Sequence, residues 1–203
     1  MKLPLDCDLE YHKSFLSEGE SSALFEWICQ NCDVLEFHRV VLADGSTHTT
    51  NIGKQMFVDP ELTDHSLLHE THGKRMVWPP PIAALRDRVE KLTGTEFNVC
   101  VCVYYPDGDS GITFHSDFPS FGSVSVIPSL SIGAKRRFLL RNRHDHSETL
   151  SLDLENGSLL IMGDGCQEMY EHSLPVDPDS RDPRINLSFR QFDWPPQIER
   201  APR

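Results

Sequence analysis

The chain has 203 residues and no run of about 18 apolar ones, so no helix able to cross a bilayer is expected. Its start, Met1-Lys2-Leu3-Pro4-Leu5-Asp6, lacks the apolar centre of a signal peptide. The expected compartment is a reducing one, cytoplasmic or, in a eukaryote, nuclear. Cysteine is sparse and poorly spaced for a structural metal. Cys29 and Cys32 make one C-x-x-C with no second pair at zinc-finger spacing, Cys100 and Cys102 share one face of an expected strand, and Cys166 stands alone. Free thiols packed as small hydrophobes are the expectation. Positive charge is short as well: 19 Lys and Arg face 31 Asp and Glu, a net charge of −12. That argues against a broad, sequence-independent grip on nucleic acid. It leaves room for a local basic patch, for which residues 135–143 (Lys135, Arg136, Arg137, Arg141, Arg143) are the candidate.

What is present describes one domain over residues 1–203, expected to be a monomer, long enough to bury a real core. Ser17 and Glu20 have capping-box spacing, and Ala23, Leu24, Trp27 and Ile28 follow at helical spacing, so a helix is expected over 17–30. Val34 to Leu42 reads as a strand, Asp44-Gly45 as a turn, and 46–52 as the returning strand. Residues 53–80 show no clear period. Pro81 suits a first helical turn, Ile82, Leu85, Val89 and Leu92 form a stripe, and Gly94 closes it. From Phe97 the chain turns to β, with strands expected at 97–105, 111–117, 123–132, 137–141, 150–154, 158–162 and 184–192, and a short segment around His172. Two helices ahead of about eight closely connected strands suggest a sandwich or barrel with helices on one side. Residues 193–203, with Trp194-Pro195-Pro196, read as a loose tail.

The chain is organised around Phe114-His115-Ser116-Asp117-Phe118. His-x-Asp on an extended strand puts an imidazole and a carboxylate on one side, because side chains alternate faces. With a third ligand from His172, these make the two-histidine, one-carboxylate triad of non-haem Fe(II) oxygenases. Each element has a bland reading on its own: His115 and Asp117 as a surface pair, His172 as a core histidine. Other histidines fit the bland reading better. His65, His69 and His72 have no carboxylate at a signature spacing, and His144-Asp145-His146 sits in a polar loop. The last strand adds weight to the triad. Arg184, Asn186, Ser188 and Arg190 alternate with Ile185, Leu187 and Phe189. Outside a barrel that polar face is a wet surface. Inside, two arginines are costly unless an anion joins them, and a dicarboxylate such as 2-oxoglutarate suits arginine's planar fork.

Several stretches together resemble the AlkB family of Fe(II)/2-oxoglutarate dioxygenases. These are Phe97-Asn98, Tyr104-Tyr105-Pro106-Asp107-Gly108, His115-Ser116-Asp117, residues 129–134 with Arg137-Phe138, residues 157–162 with His172-Ser173-Leu174-Pro175, and the R-x-N-x-[ST]-F-R run from Arg184 to Arg190. The resemblance covers about residues 80–192. It implies a mainly β (α+β) fold: a double-stranded β-helix, or jelly roll, over 97–192, with N-terminal helices and a substrate lid over 17–94 packed on one sheet. It implies that His115, Asp117 and His172 bind Fe(II). It further implies that Arg184, helped by Tyr105, pairs with the distal carboxylate of 2-oxoglutarate, that Arg190 lies near the carboxylate beside the keto group, and that Asn186 bonds close to the cofactor. Val103 stands where many members carry asparagine. The co-substrates implied are O2 and 2-oxoglutarate, and the implied reaction is oxidative demethylation of alkylated DNA or RNA bases. Phe57 and Trp78 are the aromatics offered for the lid, and Arg137 for a phosphate contact. The acidic charge keeps one alternative open, the same chemistry on a small metabolite or protein side chain, and a third reading is a jelly-roll binding module without catalysis.

Overall fold

Two helices behave as their end signals require. Ser17 caps helix α1 (Glu18–Asn31): its hydroxyl accepts from the Glu20 N–H, while the Glu20 carboxylate accepts from the Ser17 N–H at 2.8 Å. Those bonds, with Arg88 beside it, hold the Glu20 carboxyl down to about 2. Helix α2 (Pro80–Thr93) ends at Gly94, whose φ of 70° is the left-handed conformation a Cβ resists. Ile82, Leu85 and Val89 are buried, but Leu92, expected in the same stripe, lies 44% exposed on the last turn.

The computed structural model describes residues 1–41, 47–66, 68, 73–117 and 122–193, with 37–41 and 47–50 through their backbone only. Leu42, the Asp44-Gly45 turn, His69, His72, Phe118 and the tail from Trp194 lie outside the described residues. Among them the strands number twelve: β1 (Leu9–His12), β2 (Phe37–Val41), β3 (Thr47–Val58), β4 (Lys74–Val77), β5 (Val99–Tyr105), β6 (Ile112–His115), β7 (Ile127–Gly133), β8 (Arg136–Asn142), β9 (Thr149–Leu154), β10 (Ser158–Met162), β11 (Tyr170–Leu174) and β12 (Arg184–Arg190). A short helix α3 (Cys166–Met169) precedes β11. The larger sheet runs β1-β10-β7-β12-β5-β3-β2, with β4 added parallel to β3, and the smaller runs β6-β11-β8-β9.

Alternation along the larger sheet makes two interiors. Cys100, Cys102, Leu130, Ile132, Ile185, Leu187 and Phe189 face the helices and pack on Leu24, Ile28, Ile82, Leu85 and Val89. The opposite face, with Tyr105, Ile127, Leu160 and Met162, packs on Phe138, Leu140, Tyr170 and Leu174 of the smaller sheet. This is the two-sheet sandwich with helices on one side that the strand pattern implied.

Three readings need correcting. Residues 53–80 are in part regular: β3 continues to Val58 and β4, at 74–77, pairs with it. The period was hidden by Gln55, which is 2% exposed on the helix-facing side and donates to the carbonyls of Lys74 (2.6 Å) and Met56 (3.2 Å). A polar residue buried on backbone acceptors reads as surface in a polarity pattern. The strand expected at 111–117 ends at His115, so Asp117 lies beyond the paired strand and is placed by bonds from elsewhere in the chain. Cys166 does not stand alone: its thiol touches that of Cys7 at 2.8 Å, tying the N-terminal segment to α3. All six cysteines are free.

Candidate active site

The imidazoles arrive from adjacent strands. His172 of β11 lies directly opposite His115 of β6, with ring centroids 4.4 Å apart. Past the end of β6, Ser116 donates its hydroxyl to the Tyr170 carbonyl at 2.9 Å, and the Asp117 N–H donates to Gln167 Oε1 at 2.8 Å. These bonds from β11 and α3 turn the Asp117 carboxylate back toward the two rings. One ligand atom from each of His115, Asp117 and His172 falls within 4.8 Å of the others.

The protonation states suit a metal. His115 Nδ1 lies 2.8 Å from the Thr113 carbonyl, which can only accept, so Nδ1 carries the proton and Nε2 keeps its lone pair. Burial pushes the His172 pKa down to about 4, against the pull of Asp117, so the ring is neutral at physiological pH. Its 3.7 Å approach to Asp117 Oδ2 is therefore two ligand atoms converging, not an ion pair. Burial also pushes the Asp117 carboxyl up, but the Arg190 guanidinium outweighs it and holds the group below its usual value. Arg190 Nη2 reaches Asp117 Oδ1 at 2.8 Å, which leaves Oδ2 toward the histidines. Two neutral nitrogens and one carboxylate oxygen are the donor set of a borderline divalent ion such as Fe(II).

A cavity of about 280 Å³ opens beside the triad. The polar face of β12 lines it with Arg184, Asn186, Ser188 and Arg190, and Val101, Val103 and Tyr105 line it from β5. Arg184 is 2% exposed. Its Nη2 donates to Ser131 Oγ (2.9 Å) and Asn186 Oδ1 (3.0 Å). Its Nε, like that of Arg190, is buried without a partner. Burial pulls the Arg184 guanidinium down to about 10 and pushes the Tyr105 hydroxyl up. Two desolvated cations with orphaned donors in one cavity fit a small dicarboxylate. The residues present thus suit both Fe(II) and 2-oxoglutarate.

The structure brings His115, Asp117, His172, Tyr105, Arg184, Asn186 and Arg190 to one cavity. It does not bring the three substrate candidates there. Phe57 is fully buried on the helix-facing side of the sheet, in register with Cys100. Trp78 stacks on Phe57 and donates its indole N–H to Asp59 at 2.6 Å. Arg137 is exposed on the face of β8 opposite Phe138, which lines the cavity. The basic run around Arg137 is largely committed. Lys135 pairs with Asp153, and Arg141 with Glu171 at 2.7 Å. Arg136 is 1% exposed and donates to the carbonyls of Asp107, Ser110 and Pro175, while Arg143 donates to those of Gln167 and Glu168. Sequence reading missed Ser129 and Ser131, which hold Asn186 and Arg184. Their signal was present: two serines two apart in the otherwise apolar strand β7. It also missed Gln167, which positions Asp117 across 50 residues of chain and leaves no local mark.

Comparisons with known proteins agree with this geometry. The family model of the 2OG-Fe(II) oxygenase superfamily matches residues 8–190. The alpha-ketoglutarate-dependent dioxygenase alkB homolog 3 of Bos taurus is 30% identical over 190 residues, 87% of this chain and 63% of that protein. The protein of the same name from Mus musculus is 38% identical over 122 residues, 56% of this chain and 43% of its own length. The DNA oxidative demethylase ALKBH2 of Bos taurus is 36% identical over 123 residues, 57% of this chain and 44% of that protein. The chain thus spans between about two fifths and just under two thirds of these relatives. The solved structure of OsALKBH1 superposes with a TM-score of 0.63 at 15% identity, covering 93% of this chain and all of that one, a likeness of fold. No helix among the described residues is long and apolar enough to cross a membrane.

Proposed function

We propose that this chain, which belongs to the 2OG-Fe(II) oxygenase superfamily, is a dioxygenase of the AlkB type that demethylates alkylated nucleic-acid bases. The observation that carries the dioxygenase half is the convergence of His115, Asp117 and His172 beside two buried arginines in one cavity. Support for the substrate half is the similarity to proteins named DNA oxidative demethylase.

Iron held by His115, Asp117 and His172, with 2-oxoglutarate, would supply oxidation of a substrate C–H bond by O2, yielding succinate and CO2 and, from an N-methyl group, formaldehyde. The chain's own part is binding and orientation. Arg184 would meet the distal carboxylate of 2-oxoglutarate, with Tyr105 beside it; the guanidinium lies 5.2 Å over that ring. Asn186 and Ser131 fix the direction of the Arg184 fork, and Ser129 and Ser188 fix Asn186. Arg190, which holds Asp117 and lines the cavity, would meet the carboxylate beside the keto group. Val101, Val103, Ile112, Met162 and Leu174 wall the cavity against water.

A second reading, the same chemistry on a small metabolite or protein side chain, draws on the −12 net charge and on the commitment of Lys135, Arg136, Arg141 and Arg143 to internal partners. The test is turnover of methylated single- and double-stranded oligonucleotides, with succinate release as the control for an active site in working order. Formaldehyde from any of them supports demethylation. Succinate release without formaldehyde from any of them refutes it and favours the second reading.

A further inference from the structure

The N-terminal segment is bonded to the β10–α3 connection on both sides of a thiol pair. The Asp8 N–H donates to the Asp164 carbonyl at 2.9 Å, and the Asp8 carbonyl accepts from the Gly163 N–H at 2.6 Å. Beyond them β1 pairs with β10, Leu9 opposite Met162. On the other side the Asp6 N–H donates to the Tyr170 hydroxyl at 3.1 Å. These bonds fix the backbones that carry Cys7 and Cys166, whose sulfurs lie 2.8 Å apart. A disulfide needs about 2.05 Å, so with the flanking backbone already in place a movement of under about 1 Å reaches bonding distance.

The two thiols are not equivalent. Cys166 is 3% exposed, and its S–H is directed at the Cys7 sulfur, with the Asp8 carbonyl 3.3 Å away. That donor favours the Cys7 thiolate and holds its pKa below the usual thiol value, against burial and the carboxylates of Asp8 and Asp6. The same bond, with burial, pushes Cys166 up. Burial pushes up Cys29, Cys32, Cys100 and Cys102 as well. Cys7 also has an approach: with Lys2, Leu5 and Asp164 it lines a surface depression of about 330 Å³. Thiolate character, an approach from solvent and a second thiol in contact are the attributes of a cysteine that peroxides oxidise.

We infer that Cys7 and Cys166 form a dithiol that a hydroperoxide closes to a disulfide, Cys7 the attacking thiol and Cys166 the resolving one, and that the bond clamps the N-terminal segment to α3. In the first step the Cys7 thiolate attacks the peroxide; an S–O bond forms, the O–O bond breaks, and the leaving oxygen departs protonated as an alcohol or water. Cys7 is then a sulfenic acid. In the second step the Cys166 sulfur attacks the Cys7 sulfur; the S–S bond forms, the S–O bond breaks, and hydroxide leaves with the Cys166 proton as water. Two thiols are oxidised by two electrons and one peroxide is reduced by two. The partners lie 159 positions apart, so the bond closes a long loop and removes freedom chiefly from the unfolded chain. The clamped helix carries Gln167, the acceptor for the Asp117 N–H, so the bond forms one residue from a group that holds a metal ligand in place.

The experiment treats the Mn(II)-loaded protein with hydrogen peroxide, so that iron does not split the oxidant, and maps the thiols by mass spectrometry after digestion without reductant. The inference expects one linked pair of peptides, joining Cys7 to Cys166 and released by dithiothreitol. It expects the linked protein to melt at least about 5 °C above the reduced one. Cys166→Ser keeps a hydroxyl donor beside Cys7 and should stop at a Cys7 sulfenic acid, trapped with dimedone, while Cys7→Ser should leave Cys166 unreacted. The Tm of each variant without peroxide is the check on folding, and the parent arm stands without them. No link between Cys7 and Cys166 in the parent, or a link between other cysteines in its place, overturns the inference. A sulfenic acid on Cys166 in Cys7→Ser overturns the assignment of the attacking thiol. A linked protein that melts no higher than the reduced one overturns the clamp.

Discussion

Replacing Arg184 by Met separates a cofactor anchor from a structural cation. In the protein without 2-oxoglutarate, two effects oppose each other. Removing a guanidinium that is 2% exposed relieves a desolvation cost, and apolar replacement of buried charge is often neutral or stabilising. Against this, Ser131 Oγ, on a residue 1% exposed, loses its donor, at a cost of about 1–2 kcal/mol. The unliganded variant should therefore unfold within about 1 kcal/mol of the parent, a Tm change of no more than about 4 °C in a chain of this size. The liganded proteins should differ sharply. Loss of one member of a buried, hydrogen-bonded charge pair costs about 3 kcal/mol, which is roughly 150-fold in Kd. With 2-oxoglutarate at about 100 times the parent's Kd, binding stabilises the parent by about 2.7 kcal/mol, or about 5–11 °C in Tm. At the same concentration the variant gains only about 0.3 kcal/mol, a shift near 1 °C. The assay is thermal unfolding of Mn(II)-loaded protein with and without 2-oxoglutarate, so that no turnover intervenes. Equal ligand-induced shifts in both proteins would refute the role given to Arg184. A fall of more than about 3 kcal/mol without ligand would show that its main work is structural.

His172→Ala should abolish iron-dependent succinate formation, and a rate equal to the parent's would restore the reading of a binding module without catalysis. Arg190→Met releases Asp117 Oδ1 from its 2.8 Å partner, and loss of such an orienting group should weaken metal affinity about 10–100-fold; an unchanged affinity in a metal titration would remove Arg190 from that role. Arg136→Met strips the donor from three carbonyls and should cost about 3–5 kcal/mol in urea unfolding, whereas exposed Arg137→Ala should stay within about 0.5 kcal/mol. Similar losses for both would contradict the division of the basic run into internal bolts and surface charge.

What was legible in the sequence was chemistry that demands residue types regardless of backbone detail. A metal needs its nitrogens and carboxylate, and a dicarboxylate needs its arginines, so His115, Asp117, His172, Arg184 and Arg190 stood out before any strand was placed. What was illegible depended on partners distant in the chain. Gln55 looked like surface because its acceptor, the Lys74 carbonyl, lies in a strand joined 19 residues later. Arg136 and Arg141 looked like a nucleic-acid patch because charge is visible in a sequence while Pro175 and Glu171 beside them are not. Phe57 and Trp78 looked like a lid because aromatics are expected in one; register decides the face, and residue 57 falls on the helix side. Cys166 looked solitary because Cys7 lies 159 positions away.

The alternation of β12 raises one further point. Its pattern alone allows either face to be inside, and packing resolves the choice. The helices α1 and α2 bury Leu24, Ile28, Ile82, Leu85 and Val89, and only the face carrying Ile185, Leu187 and Phe189 can cover them. The polar face must then turn toward the second sheet, and two guanidinia go inside with it. Apart from the histidines, the cavity carries two positive charges from Arg184 and Arg190 and one negative charge from Asp117. A divalent metal alone raises that excess positive charge, and a dianion alone reverses it. The two together leave it unchanged. Metal and dicarboxylate should therefore each bind more tightly in the presence of the other, and the reciprocity of linkage makes the two enhancements equal. The helical layer that demands an apolar face thus also obliges the opposite face to hold a metal and an anion as a pair.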